Sequence, residues 1–291
     1  MPQSSESFTQ AEPLIRNISD TALWAAIYRA RENDRPQALF RDPFARRLAG
    51  QRGEQIAAVM PFSDKDAWPW VVRTYLFDTF IVDQIRQGVD MVINLAAGLD
   101  ARPYRLALPP SLTWVEVDLP ELLNYKEQIL ANEKPACMLE RLRLNLSDLS
   151  ARRELFEPLS RRANKALVIT EGLLIYFTAE EVGSLASDLA NAPSFQRWVL
   201  DLASPGLLRI LQKEIGPRLS GSGATFKFAP PEGPGFFARE GWKPIDVRGL
   251  LKTAARLRRL PFFLRLLALL PESTGAQGSR PWGGVCLMAR Q

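Results

Sequence analysis

A parallel α/β sheet covered by helices on both faces is the fold class this sequence predicts, and three observations predict it. From Met91 onward, short apolar runs of strand length alternate with helical stretches. The first run, MVINLAAG, stops on a glycine, Gly98, directly before a charged turn and a helix-length segment, as in sheets that hold a nucleotide. A chain of 291 residues with 46% hydrophobic content has enough apolar side chains for one large core with additions.

The first ninety residues (1–90) read as a helical cap. ISDTALWAAIYRARE offers Ser19 or Asp20 as an N-cap and sets Leu23, Ile27 and Ala30 on one face. RDPFARRLAG supplies Asp42 as N-cap, Pro43 at the first helical position and Gly50 as a stop. A longer helix, WVVRTYLFDTFIVDQIRQG, runs from Trp70 to Gly88 with Val72, Tyr75, Leu76 and Thr79 at helical spacing. Strands are expected at 91–97, 112–118, 139–146, 166–171 and 196–202, which makes 91–203 the core. The helix after the fourth opens on a capping box, Thr178-Ala179-Glu180-Glu181. Residues 204–282, rich in Gly and Pro and including FAPPEGPGFF, break the alternation and read as a lid over the strand ends. GGVCLMAR, within 283–291, reads as a final strand closing the sheet.

Composition removes whole classes of chemistry. The chain has no histidine, so it has no Ser-His-Asp triad, no Cys-His pair and no imidazole base or metal ligand. Cys137 and Cys286 stand apart without partner spacing, which predicts reduced thiols, no disulfide framework and no metal site. Lys and Arg exceed Asp and Glu by 37 to 32, a balance that permits an anionic ligand without requiring nucleic acid. The polar start, MPQSSESFTQAEPLIR, lacks the apolar centre of a signal peptide. LPFFLRLLALLP is broken by Arg265 and too short to span a bilayer, so a cytoplasmic protein without a membrane partner is expected.

In an open parallel sheet the ligand lies beyond the carboxyl ends of the strands. Asp118 ends the second run twenty residues after Gly98, the separation at which a carboxylate accepts hydrogen bonds from ribose hydroxyls. Glu116 faces the same side of that strand and is its rival. The second and third glycines of a pyrophosphate-binding turn are replaced by Asp100 and Pro103. The expected ligand therefore contains adenosine, lacks a diphosphate and tolerates carboxylates, as a sulfonium does; a nicotinamide dehydrogenase is disfavoured. Glu171 closes the apolar run ALVIT, where a charge is costly without a task. Asn145 also suits a turn cap, Tyr176 a packing aromatic, and Lys252, Arg256, Arg258 and Arg259 a solvated helix face, with a contact to a substrate carboxylate or phosphate as the alternative.

The segments RARENDRPQALFRDPFARRLA, VVRTYLFD, NLAAGLDARPYRL, VEVDLPELLNYK and VITEGLLIYFTAEE, in this order, resemble the successive motifs of the leucine carboxyl methyltransferase superfamily, from about Asn17 to the last strand. The resemblance implies a class I, Rossmann-like sheet of seven strands, mostly parallel with the last antiparallel, carrying a helical N-terminal extension and a lid insertion. It also implies S-adenosyl-L-methionine as cofactor. By position, Arg73 would take the methionine carboxylate, Gly98 the close backbone approach and Asp118 the ribose, with Asp100 beside the turn. Asn145 and Leu146 would flank the adenine, and Glu171 would lie near the methionine moiety. The family usually has Asp-Leu where this chain has Asn145-Leu146, and the protein-methylating branch has lysine where this chain has Gln37, which weakens the case for a protein phosphatase substrate.

Methyl transfer is an in-line displacement that needs alignment and exclusion of water more than acid–base groups, which suits a chain without histidine. The expectation is an O-methyltransferase of a small-molecule carboxylate or phenol, with Tyr176 and Arg102 near the acceptor. The alternatives are a protein C-terminal carboxyl or modified-tRNA methyltransferase and a non-catalytic nucleotide-binding protein.

Overall fold

The computed structural model describes residues 15–61, 66–271, 278 and 280–291. The polar amino-terminal stretch up to residue 14, and residues 272–277 and 279 of the expected lid, lie outside the described residues.

Three helices come first: α1 (Asp20–Asn33), α2 (Ala45–Val59) and α3 (Trp68–Arg86). The core then runs β1 (Met91–Leu95), α4 (Arg102–Arg105), β2 (Thr113–Asp118), α5 (Pro120–Ile129), β3 (Met138–Arg143), α6 (Leu149–Arg162), β4 (Ala166–Thr170), α7 (Ala179–Ala190) and β5 (Phe195–Ala203). After it come α8 (Pro205–Glu214), β6 (Trp242–Gly249), α9 (Leu250–Arg256) and β7 (Gly283–Arg290). The seven strands form one sheet in the order β3-β2-β1-β4-β5-β7-β6. Strands β1 to β5 pair in parallel, and β7 is antiparallel to both β5 and β6. Every residue of β1 and β4 is buried, because helices cover both faces of the sheet centre, and their unbroken apolar runs are the sequence record of that burial. The edge strand β3 instead carries Glu140, Arg141 and Arg143, charges that discourage further pairing.

Several local expectations are met. Leu23, Ile27 and Ala30 are the buried stripe of α1, and Thr178 and Glu181 form both halves of the capping box that starts α7. Others are corrected. Gly50, at φ 58° and ψ −172°, does stop the first helical segment, but a second segment follows it directly and carries α2 on to Val59. The hydroxyl of Tyr125 donates to the Leu48 carbonyl beside this break, replacing a helical partner. Asp42 divides its carboxylate, with Oδ1 accepting from Phe44 N at 3.3 Å in the manner of a cap and Oδ2 from Arg29 at 3.0 Å, and the regular helix begins only at Ala45. Strand β3 ends at Arg143 rather than at residue 146, because Asn145 Oδ1 accepts from Ser147 N at 3.0 Å and turns the chain.

The largest correction lies in 204–282. Read as a lid throughout, this stretch also contributes β6 to the sheet. Sequence WKPIDVRG hides the strand: most of it is solvent-facing or half-buried, and Pro244 sits where the register shifts against β7. Its anchor is Trp242, fully buried, stacked edge-on to Trp198 at 5.4 Å and donating its indole N–H to the Ala186 carbonyl at 2.9 Å. Among the described residues no helix is long and apolar enough to cross a membrane.

Because Trp242 ties β6 to the main core, Trp242→Ala should lower the unfolding free energy by about 3–5 kcal/mol, the cost of emptying a buried aromatic site, measured by chemical denaturation. A loss below about 1 kcal/mol, the size of a surface change, would mean that β6 is peripheral.

Candidate functional site

The carboxyl ends of β1, β2, β4 and β5 open into a cavity of about 1030 Å³, roofed by α1, the start of α3, the 3-10 turn Leu174–Tyr176 and the chain after β5. That volume is at the upper end of the range for ligand sites, room for a cofactor and a second molecule together.

Its floor begins at the turn after β1. Ala96 and Gly98 both have positive φ, 52° and 51°. For alanine this left-handed conformation costs about 1–2 kcal/mol, strain of the kind that gathers at functional sites. Gly98 avoids the cost, and it lies close under the cap: a Cβ there would reach ordinary contact, 3.4 Å, with Cβ of Ala22 on α1. Asp118 fastens the turn, with Oδ2 accepting from Gly98 N at 2.6 Å and Oδ1 accepting from Leu119 N at 2.7 Å. Burial raises its pKa despite these two donors. Its rival Glu116 is fully buried away from the cavity, paired with Lys126 at 2.7 Å and Arg141 at 2.9 Å.

A chain of alternating charges runs beneath and beside this turn. Asp201 pairs with Arg73 at 3.2 Å, and Arg73 with Glu171 at 3.2 Å. Glu171 meets Arg102 at 2.8 Å, and Arg102 holds Asp100 at 2.8 Å and Asp78 at 2.6 Å. Arg105 shares Asp78 at 2.6 Å and approaches Asp42 at 3.8 Å, where Arg29 closes the series. Burial would raise the pKa of Asp100, but the charges of Arg102, Lys126 and Arg105 outweigh it and hold it at about 2, so this carboxylate is ionised at any physiological pH. Asn94 Nδ2 donates to its Oδ2 at 2.8 Å and completes its shell.

Most of the residues expected at the site do come together. Arg73, Gly98, Asp100, Arg102, Asp118, Asn145, Leu146, Glu171 and Tyr176 all line the cavity. Two of them sit differently from expectation. Arg102 was expected at the acceptor, yet its side chain is only 3% exposed and committed to three carboxylates, so it positions Asp100 and Glu171 rather than contacting an acceptor. Asn145 spends its side-chain oxygen on Ser147 N, the turn-capping use. Tyr176 packs on Phe226 with ring centroids 5.4 Å apart, and burial raises its pKa, so it stays a neutral phenol at the pocket wall.

Asp201 is the residue that sequence reasoning missed. It breaks the apolar run WVLDLA near the end of β5, much as Glu171 follows ALVIT, and the signal of one charge inside a mostly apolar strand could have found it. Its Oδ1 accepts from Gly172 N at 2.7 Å, and burial raises its pKa although Arg73 pulls the other way. Gly172, at φ 67°, leaves the space for Arg73: a Cβ there would stand 3.3 Å from Nη1.

Comparison with known proteins agrees with this geometry. Residues 22–190 match the family described as "Leucine carboxyl methyltransferase". A "Putative S-adenosyl-L-methionine-dependent methyltransferase" of Streptomyces coelicolor is 30% identical over 239 residues, 77% of this chain and 82% of that protein. One of the same description from Parafrankia sp. is 32% identical over 184 residues, which span 60% of this chain and only 59% of that relative. Among solved structures, the "putative methyltransferase" of Thermobifida fusca superposes with a TM-score of 0.57 at 15% identity, over 98% of this chain and all of the other. A DUF574 family protein of Streptomyces avermitilis gives 0.52 at 12% identity, over 90% and 95%. At such identities the two structures speak for the fold, while the sequence matches speak for the family. The chain belongs to the leucine carboxyl methyltransferase family of S-adenosyl-L-methionine-dependent methyltransferases.

Proposed function

We propose that the protein is an O-methyltransferase that methylates a carboxylate or phenolic oxygen of a small, largely apolar molecule. The observation that carries the reading is a single cavity with two unlike ends: a polar floor at Gly98, Asp118, Arg73 and Glu171, and an apolar region lined by residues such as Phe228, Leu250, Leu264, Leu267 and Trp282.

The polar end fits the cofactor by its donors and acceptors. An ionised carboxylate accepts at about four lone-pair positions. Asp118 uses two of them on Gly98 N and Leu119 N, which leaves two for the paired hydroxyls of a ribose. Asn145 and Leu146 would flank the adenine, and Arg73 would hold the methionine carboxylate while remaining anchored to Glu171 and Asp201. Asp100 and Glu171 favour a cation in the cavity and oppose a diphosphate, and Arg102 fixes both. When bound, the cofactor supplies an electrophilic methyl group on a sulfonium. The protein's part is to align the acceptor oxygen and keep water away. A carboxylate acceptor arrives ionised. For a phenol, Asp201 is a suitable proton acceptor, since its raised pKa brings it nearer neutrality than an ordinary aspartate. Tyr176, held neutral, would donate to or pack against the acceptor rather than serve as a base.

Three results are expected. S-adenosylhomocysteine should bind and raise the melting temperature, whereas NAD should not, and the reverse pattern of thermal shifts would refute the cofactor assignment. Calorimetry should show Asp118→Ala weakening S-adenosylhomocysteine by about 1.5–3 kcal/mol, the value of hydrogen bonds to a charged group. Glu116→Ala should instead cost stability by freeing buried Lys126, with cofactor affinity largely kept; a larger affinity loss at Glu116 would overturn the placement of the ribose. Finally, labelled methyl transfer to aromatic acids, phenols, a leucine-ending peptide and tRNA should be found with the small molecules. The rate should be flat with pH for an acid and climb with the ionised fraction for a phenol. Turnover confined to peptide or tRNA would sink the small-molecule reading.

A further inference from the structure

We propose that the methyl acceptor carries a second, anionic group remote from the methylated oxygen, and that Lys252 binds it. The proposal rests on methyl transfer to a small molecule and adds what that molecule looks like.

The charges that line the cavity differ in how they are satisfied. Arg73 is held by Glu171 and Asp201, Arg102 by Asp78, Asp100 and Glu171, and Arg29 by Asp42. Lys252, half-buried in the first turn of α9, also lines the cavity but has no hydrogen bond or ion pair among the described residues. Arg280, at the exposed rim, pairs with no carboxylate of the described residues either. The cofactor end is thus internally neutralised, while the far end keeps uncompensated positive charge. A half-buried ammonium next to Leu250 and Leu251 on α9 is screened less than a surface lysine, so an anion delivered there gains more than it would in water.

The strand register sets the distance between the two ends. Leu202, next to Asp201, pairs with Gly284 of β7, and Gly284 pairs on its other side with Gly249, the last residue of β6. Two strand spacings, about 10 Å, therefore separate the Asp201 end from the start of α9. Trp282 lies over this span. A Cβ on Gly284 would stand 2.4 Å and 2.7 Å from two of its indole carbons, so the ring rests directly on bare backbone. Its Nε1 is buried without a hydrogen-bond partner. Together these features form a flat apolar bridge with a cation beyond it. The ligand they fit is a planar or aromatic molecule with the methylated oxygen at one end and a carboxylate, sulfonate or phosphate at the other.

The test uses 6-hydroxy-2-naphthoate and 2-naphthol, which share a ring and a hydroxyl and differ in the distal carboxylate. Each is titrated by calorimetry at pH 7 into the full chain, with and without saturating S-adenosylhomocysteine. The wild type should prefer the naphthoate by about tenfold or more, the worth of a charge-assisted contact. Lys252→Met should erase that preference while leaving 2-naphthol affinity unchanged, and Lys252→Arg should keep it. Equal binding of the two probes by the wild type, no binding of either, or a preference that survives Lys252→Met would overturn the proposal. Failure of S-adenosylhomocysteine to bind in the same titrations would be a separate result: it would refute the cofactor reading, while a Lys252-dependent preference in the protein without it would still establish the anion site.

Discussion

The alternating series Asp201, Arg73, Glu171, Arg102, Asp100 and Asp78, Arg105, Asp42 and Arg29 links elements that the sheet and the core already bring near one another and fixes their charged ends at one point. It joins the ends of β4 and β5, the middle of α3, the turn after β1 and the cap helices. Charges this deeply placed persist only when each meets an opposite partner, and removing one strands its neighbours at a cost of about 3–5 kcal/mol for a buried pair. The series therefore sets the relative positions of the glycine turn, the carboxylates and the long helix together, and the cavity is the space left above it.

The roof depends on the same constraint. Arg29 on α1 reaches Asp42 and also donates to the Leu99 carbonyl at 2.7 Å, which holds the cap helix against the glycine turn. With Ala22 almost touching Gly98, the cap is a wall of the site rather than an appendage. On the other side, Lys227 N and Phe228 N both donate to the Ile175 carbonyl and bring the chain after α8 back over the 3-10 turn that carries Tyr176. Enclosure from two directions suits a displacement that is helped by excluding water and by holding reactants in line.

The chemistry open to such a site is bounded by what the chain lacks. With no histidine, the cavity-lining residues proposed to handle a proton include Asp201 and Tyr176, both with pKa values raised by burial. Raising the two has opposite consequences: the carboxylate becomes a better proton acceptor, while the phenol becomes a weaker acid that holds its proton. Neither is essential for an acceptor that is ionised in solution, so alignment carries most of the burden.

The amino-acid sequence by itself determined the central strands, the long helix α3, the capping box of α7 and the spacing of Gly98 and Asp118. Each of these is written in local order: burial on both faces makes β1 and β4 unbroken apolar runs, and the turn that ends β1 fixes where the next carboxylate falls. Only the tertiary structure decided which charges face the cavity and which are buried struts. Glu116 and Asp118 are two residues apart on one strand, and what separates their fates is Lys126 on α5 and Arg141 on β3. Arg102 reads locally as a basic residue beside a ligand turn, but the carboxylates that claim it include Asp78, 24 positions earlier, and Glu171 from the end of β4. Strand β6 stayed hidden because an edge strand with a proline bulge has little apolar surface to bury, so its place in the sheet follows from β7 and Trp242 and not from its own pattern. Local periodicity records how much of an element is buried; the pairing of buried charges depends on partners far away in the chain, and only the folded molecule brings them within reach.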